Sequence, residues 1–132
     1  MKVVGGLGLA GPYRSEQEFK TAWLRKVSTR CYAGSTFFEI ENEEKEPGFP
    51  DVMRHGITKI CEFFEMKVAD KNGWFELQKT QPRFYRMHPD LDITIVVWHE
   101  GEHKIYYLTA KEVADMVLAK QSLRIRIGDF NG

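Results

Sequence analysis

Three side chains have types and a spacing that could do chemistry together: Asp51, in Gly48-Phe49-Pro50-Asp51, and Glu65 and Lys67, in Phe64-Glu65-Met66-Lys67. The 14 residues from Asp51 to Glu65 suffice for two neighbouring strands whose ends lie side by side. Alternate residues of a strand share a face, so Glu65 and Lys67 point the same way, and Asp51 on the adjacent strand can join them. Two hard carboxylate ligands suit Mg²⁺, with Mn²⁺ as a substitute, because that ion takes few carboxylates plus water and substrate phosphate. Such an ion activates a bound water and stabilises the charge of a phosphorane-like transition state. A lysine beside it orients or deprotonates the water, or stabilises the charge. The chemistry is metal-assisted hydrolysis of a phosphodiester. Taken singly, Asp51 reads as a turn cap, and Glu65 with Lys67 as a surface ion pair worth less than about 1 kcal/mol. Phe63, Phe64 and Met66, however, make both faces of this strand apolar, and a carboxylate there needs a partner or a task. Glu62 falls on the opposite face and is left out of the cluster.

Those side chains must be held by a mixed α/β framework. Residues 1–14 carry Gly5, Gly6, Gly8, Gly11 and Pro12 and read as an irregular or mobile arm. Ser15 followed by Glu18 forms a capping-box pattern, and Phe19, Ala22, Trp23 and Val27 recur at helical spacing, which predicts a helix over 16–29. Thr36–Glu41 reads as a strand, 41–46 as an acidic loop, Phe49–Met53 as a short strand closed by a turn at Arg54-His55-Gly56, and Ile57–Lys67 as a longer strand. Helical periodicity runs from Trp74 to Met87, although Pro82 moves the helix start towards Thr80, where proline fits the first turn. Ile93–Trp98 is a buried-type strand, His99–His103 a hairpin turn and Lys104–Leu108 the returning strand. Thr109 caps a helix to Lys120, and Leu123–Ile127 reads as an edge strand. The expected fold is a central mixed sheet flanked by helices.

The stretch Gly48-Phe49-Pro50-Asp51-Val52 followed by Phe64-Glu65-Met66-Lys67 resembles the PD-(D/E)xK nuclease superfamily, and is especially similar to archaeal Holliday-junction resolvases and VRR-NUC-type nucleases. The resemblance spans about residues 15–98. It implies a restriction-endonuclease-like core of order helix-strand-strand-strand-helix-strand, here followed by a strand-helix-strand tail. It implies a glutamine early in the helix after the lysine, for which Gln81 is the first choice and Gln78 the second. It also implies an acidic residue in the first helix, Glu16 or, as the alternate, Glu18. In the first turn either carboxylate also suits the helix dipole. Asp51, Glu65 and Glu16 would then hold the metal, with Lys67 and Gln81 completing the catalytic set. The implied activity is a metal-dependent DNA endonuclease acting on Holliday junctions, flaps or other branched DNA; a homodimer suits a two-fold junction. The alternative is a non-catalytic nucleic-acid-binding or interaction module on the same fold. The expected layout is one nuclease domain over 1–132, with an arm (1–14), a catalytic core (15–98) and an extension (104–132) that has no counterpart in the family.

Composition narrows the partners. The chain has 132 residues, 42% hydrophobic and 29% charged, with formal net charge zero; nucleic-acid contact must therefore come from local patches. Lys20, Arg25, Lys26 and Arg30 on the first helix and Lys79, Arg83 and Arg86 on the second are the phosphate-contacting candidates. Trp74 and Phe75 could stack on bases, or belong to the core. No apolar run approaches a membrane span, and Cys31 and Cys61 read as reduced thiols in a cytoplasmic protein. Two motifs are decoys. Gly6-Leu7-Gly8-Leu9-Ala10-Gly11 has the spacing of a dinucleotide loop, but Pro12 falls where the helix should run, so no nucleotide cofactor is expected. His99-Glu100-Gly101-Glu102-His103 has the zinc-protease spacing, but Gly101 and flanking strand patterns make it a turn.

Overall fold

A computed structural model of the chain describes residues 1–26, 32–40, 47–56 and 61–130. The described elements are β1 (Lys2–Gly5), α1 (Glu16–Lys26), β2 (Thr36–Glu39), β3 (Val52–His55), β4 (Glu62–Ala69), β5 (Trp74–Glu76), α2 (Thr80–Met87), β6 (Ile93–His99), β7 (Lys104–Thr109), α3 (Ala110–Lys120) and β8 (Arg124–Arg126). A six-stranded, mostly antiparallel sheet runs in the order β1-β7-β6-β4-β3-β2, and β5 pairs with β8 in a second, two-stranded sheet. The parallel contact joins β4 to β6, from Phe63 opposite Ile93 to Ala69 opposite His99. Parallel neighbours need a crossover, and here residues 70–92 supply it through β5 and α2.

β4 and β6 lie at the sheet centre, which explains why nearly every residue of both is buried. One face, with Phe63, Ile95 and Val97, packs against Phe84 and Tyr85 of α2 and Val113 and Ala114 of α3. The other, with Phe64, Met66, Val96 and Trp98, packs against Phe19 and Trp23 of α1. Trp23 is fully buried, and its indole N–H donates to the Tyr107 hydroxyl at 3.1 Å, so the ring sits in the core with its polar edge satisfied.

Several expected boundaries shift. Residues 2–5 are not an arm: Lys2–Gly5 pairs antiparallel with Lys104–Tyr107, because Val3 and Val4 can cover the open edge of β7 before the glycines begin. Arg54 and His55 are not a turn but part of β3, held there by a cross-strand pair: Arg54 lies opposite Glu62, with Nε 2.8 Å and Nη2 2.7 Å from Oε1. β3 therefore starts at Val52 rather than Phe49, and β4 extends beyond Lys67 to Ala69. Trp74–Glu76 is a strand, since β8 offers it a partner, and α2 starts at Thr80 with Pro82 in its first turn. Leu123–Ile127 shortens to Arg124–Arg126 and belongs to the second sheet, not to an edge of the first. α3 begins with the predicted cap: Thr109 and Glu112 exchange side-chain and backbone hydrogen bonds. The expected ends of the 16–29 helix and the 57–67 strand, the 41–46 loop, Arg30 and Cys31 lie outside the described residues. Among the described residues no helix is long and apolar enough to cross a membrane.

The Arg54–Glu62 pair is buried, with Ser35 and Thr94 as further hydrogen-bond partners. Removing one member leaves a buried charge alone. Glu62→Ala is expected to lower unfolding free energy by about 3–5 kcal/mol in urea titration, and Arg54→Met with Glu62→Leu by much less.

Candidate active site

The site forms where β3 stops pairing with β4. The last pair is Val52 opposite Phe64, with the Asp51 N–H still donating to the Phe64 carbonyl at 3.2 Å. Beyond Phe64, no described strand pairs with β4 on that side, so Glu65 and Lys67 stand on a stretch of β4 without a strand partner there, although both are buried. The chain reaches Asp51 through Gly48, whose φ is +93°. A side chain at Gly48 would place its Cβ 2.7 Å from the Thr80 carbonyl oxygen and 2.8 Å from Phe84 Cβ. Glycine thus allows this loop to press on the first turn of α2. Phe49 fixes it there, with ring centroids 5.2 Å from Phe63 and 5.5 Å from Phe84.

The structure brings Asp51, Glu65, Lys67 and Glu16 together. Glu65 is buried, and its carboxyl shares a side-chain hydrogen bond with Asp51. Burial, and then the Asp51 carboxylate, push the Glu65 carboxyl well above its ordinary value, with Lys67 pulling against them. Lys67 is only 2% exposed, and its Nζ lies 3.3 Å from Glu16 Oε2. Glu16 opens α1, which packs on the other face of β4, so this bridge is made past the edge that β3 leaves free. Burial raises the Glu16 carboxyl as well, opposed by Lys67 and assisted by Asp51.

The structure separates the alternates. Glu18 is exposed and works in the helix cap: its N–H donates to Ser15 Oγ at 3.2 Å, and its carboxylate accepts the Arg14 N–H at 2.8 Å. Gln81 is buried and Gln78 exposed. The Gln81 side-chain oxygen accepts the Gln78 N–H at 2.8 Å, tying the chain just before α2 to the helix's first turn. Lys79 just before α2, Arg83 and Arg86 on α2, and Arg25 and Lys26 on α1 are exposed. Lys20 is a correction: it is buried and lies 3.6 Å from Glu39 Oε2, so it faces the sheet and not an incoming phosphate. Phe75 is a core residue, and Trp74 is half-buried on β5.

Sequence reasoning missed Tyr85. Its phenol oxygen is buried with no hydrogen-bond partner among the described residues. Burial, then the carboxylates of Glu65, Asp51 and Glu16, raise its ionisation well above the ordinary tyrosine value. The available signal was its position four residues after Gln81 on one helix, which puts both on the same side.

Both decoy motifs fail on geometry. Leu9 N–H donates to the Gly6 carbonyl in a turn, and no helix follows until Glu16. His99 ends β6 and His103 sits in the turn with φ +54°, not on a helix.

Among the described residues no group of three His, Cys, Asp or Glu side chains stands ready in a metal-holding arrangement. The donor set still suits a divalent cation: carboxyl oxygens of Asp51 and Glu65 in contact, Glu16 near them, and a buried phenol lacking a partner among the described residues. Comparison with protein-family models, curated proteins and solved structures returned no match.

Two outcomes follow from this geometry. Gly48→Ala combines a left-handed φ with a backbone clash and is expected to cost more than about 1 kcal/mol in denaturant unfolding. Burial and Asp51 raise the Glu65 carboxyl in the folded chain above its unfolded value, so the folded chain keeps this proton to a higher pH than the unfolded one. That contribution is full below the unfolded value and is lost as pH rises through the folded one. Without divalent metal, Glu65→Gln should therefore melt above the wild type near neutral pH, the gap closing towards about pH 4.

Proposed function

We propose that this protein is a divalent-metal-dependent DNA endonuclease that hydrolyses phosphodiester bonds on a restriction-endonuclease-like core, with branched DNA its preferred substrate class. The observation that carries this reading is the convergence of Asp51, Glu65 and Glu16 around buried Lys67 where β3 stops pairing with β4. A structural ion pair needs one carboxylate per cation; this cluster has an excess of carboxylates, and Glu16, the partner of Lys67, keeps 43% of its side chain exposed. Asp51 and Glu65, with Glu16 beside them, would hold Mg²⁺ or Mn²⁺, which when bound neutralises the carboxylates and supplies an activated water.

The chain's own residues do the rest. Lys67 keeps a cation at the carboxylates, where its ammonium can donate to a phosphate oxygen or orient the attacking water. Glu16 holds Lys67 in place across the edge. Gln81 keeps the first turn of α2 ordered, which in turn supports the loop carrying Asp51. The expected homodimer and cytoplasmic setting are compatible with this reading but do not carry it.

The test is cleavage of labelled duplex, single-stranded, flap and four-way-junction DNA in Mg²⁺, Mn²⁺ or EDTA. Asp51→Asn and Lys67→Ala, checked for folding by circular dichroism, are each expected to reduce metal-dependent cutting at least about 100-fold. Mg²⁺ should raise the wild-type melting temperature and leave that of Asp51→Asn unchanged. Binding without cutting on any substrate would favour the non-catalytic module. Cutting that survives both substitutions would place the chemistry elsewhere.

A further inference from the structure

The two-stranded sheet gives the C-terminal segment a task. In the antiparallel β5–β8 pair, Trp74 lies opposite Arg126 and Glu76 opposite Arg124. All four occupy alternate positions, so they share one face. The Arg124 guanidinium carbon stands 4.7 Å from the Trp74 ring centroid, and that of Arg126 5.7 Å. Trp74 is thus a support for two cations and not a free stacking surface. A carboxylate stands near each arginine: Asp70 lies 3.4 Å from Arg124 Nη2, and Asp129 lies 3.3 Å from Arg126 Nη2. A guanidinium carries five N–H donors, so one such carboxylate leaves most of each fork available. The side chains are 57% and 47% exposed.

The pair stands beside the segment of β4 that follows Lys67. A cavity of about 390 Å³ runs between Tyr13, Val68, Trp74 and Arg124. Val68 follows Lys67 but points to the opposite face of β4, and the three residues from Lys67 to Asp70 advance about 10 Å along the strand. Asp70, Glu76 and Glu100 also line the cavity, which repels phosphate from its interior and leaves the guanidinium rim as the cationic contact.

We propose that Arg124 and Arg126, braced on Trp74, bind the backbone phosphates of the nucleic-acid strand that flanks the reacting phosphodiester. The inference rests on the nuclease reading and assigns its substrate grip to the C-terminal β8. Arginines held in advance over a ring lose less freedom on binding than the mobile lysines of a helix surface.

The experiment measures binding of labelled single-stranded and four-way-junction DNA over a KCl series, with EDTA present to prevent cutting. The proteins are the wild type, Arg124→Gln with Arg126→Gln, Arg124→Lys with Arg126→Lys, and Lys111→Gln as an exposed-charge control on α3. The double glutamine variant is expected to bind at least about 10-fold more weakly, and the slope of log affinity against log salt should fall by about 0.7–0.9 for each phosphate that the variant no longer neutralises. The double lysine variant should recover the slope and part of the affinity, and Lys111→Gln should match the wild type. A lower melting temperature with an unchanged salt slope would mark the pair as structural and overturn the inference. Wild-type affinity and slope in the double glutamine variant, with cleavage intact, would overturn it and leave the nuclease reading standing. Wild type that neither binds nor cuts any of these DNAs would remove both.

Discussion

A lysine ammonium closed off from water has to be matched by a carboxylate, and the arrangement around Lys67 follows from that requirement. Lys67 sits inside β4, between apolar neighbours that the core needs. Its partner Glu16 belongs to a helix on the opposite face of the sheet. The bridge exists because β3 stops at Val52 and leaves the edge of β4 open. Had β3 continued, Lys67 would have stayed inside the sheet with no route to Glu16. The early end of β3, the turn at Gly48 and the placement of α1 are therefore one construction, and the proposed chemistry occupies the gap that they leave.

The buried charge clusters around Arg54 and Lys67 differ in balance. Around Arg54, one guanidinium meets one carboxylate, and Ser35 and Thr94 take up further hydrogen-bonding capacity. That cluster is closed and ties β3 to β4. Around Lys67, one ammonium faces Glu16 while Asp51 and Glu65 crowd beside it and the Tyr85 phenol finds no partner among the described residues. The Glu65 and Glu16 carboxyls, pushed upward by burial and by neighbouring carboxylates, store an electrostatic cost in the folded chain. Such strain concentrates where a protein has to bind or move charge, and a divalent cation or a substrate would relieve it. Balance, rather than burial, separates the structural pair from the candidate site.

In the small β5–β8 sheet, β5 lies within the crossover between the parallel strands β4 and β6, and β8 comes from the segment after α3. The sheet's inner positions serve the core through Phe75 and Ile125, joined by Ile127 just after β8. Its outer face carries Trp74 with two arginines. A segment that the nuclease resemblance leaves unmatched is thus integrated into the same hydrophobic core as α2 and α3. Its apolar residues secure it, and its polar face is free to extend the surface beside the cluster.

How much was legible in the sequence varies with the range of the interaction that decides each feature. The alternation Glu65-Met66-Lys67 placed two ionic side chains on one face, because strand periodicity is local. The Thr109 cap, the buried strand from Ile93 and the turn that follows it were readable for the same reason: each is decided within a few residues, although His99 belongs to the strand and not to the turn. Long-range pairing was not readable. Lys2–Gly5 has the composition of a glycine-rich arm and becomes a strand only because β7 offers it an edge; Trp74–Glu76 carries a helix-like pattern and becomes a strand because β8 supplies its partner. Lys20 has the spacing of an exposed residue, and β2 brings Glu39 to it. Glu16 and Glu18 are equivalent as letters; a turn of α1 sends one towards Lys67 and the other back into the helix cap. Tyr85 gives no signal of its own, since its importance lies in what surrounds its hydroxyl. The sequence by itself determined the residue types and their local faces, which obey short-range periodicity and sterics. Only the tertiary structure decided which charges meet, because that depends on where a strand ends and which elements cross the gap.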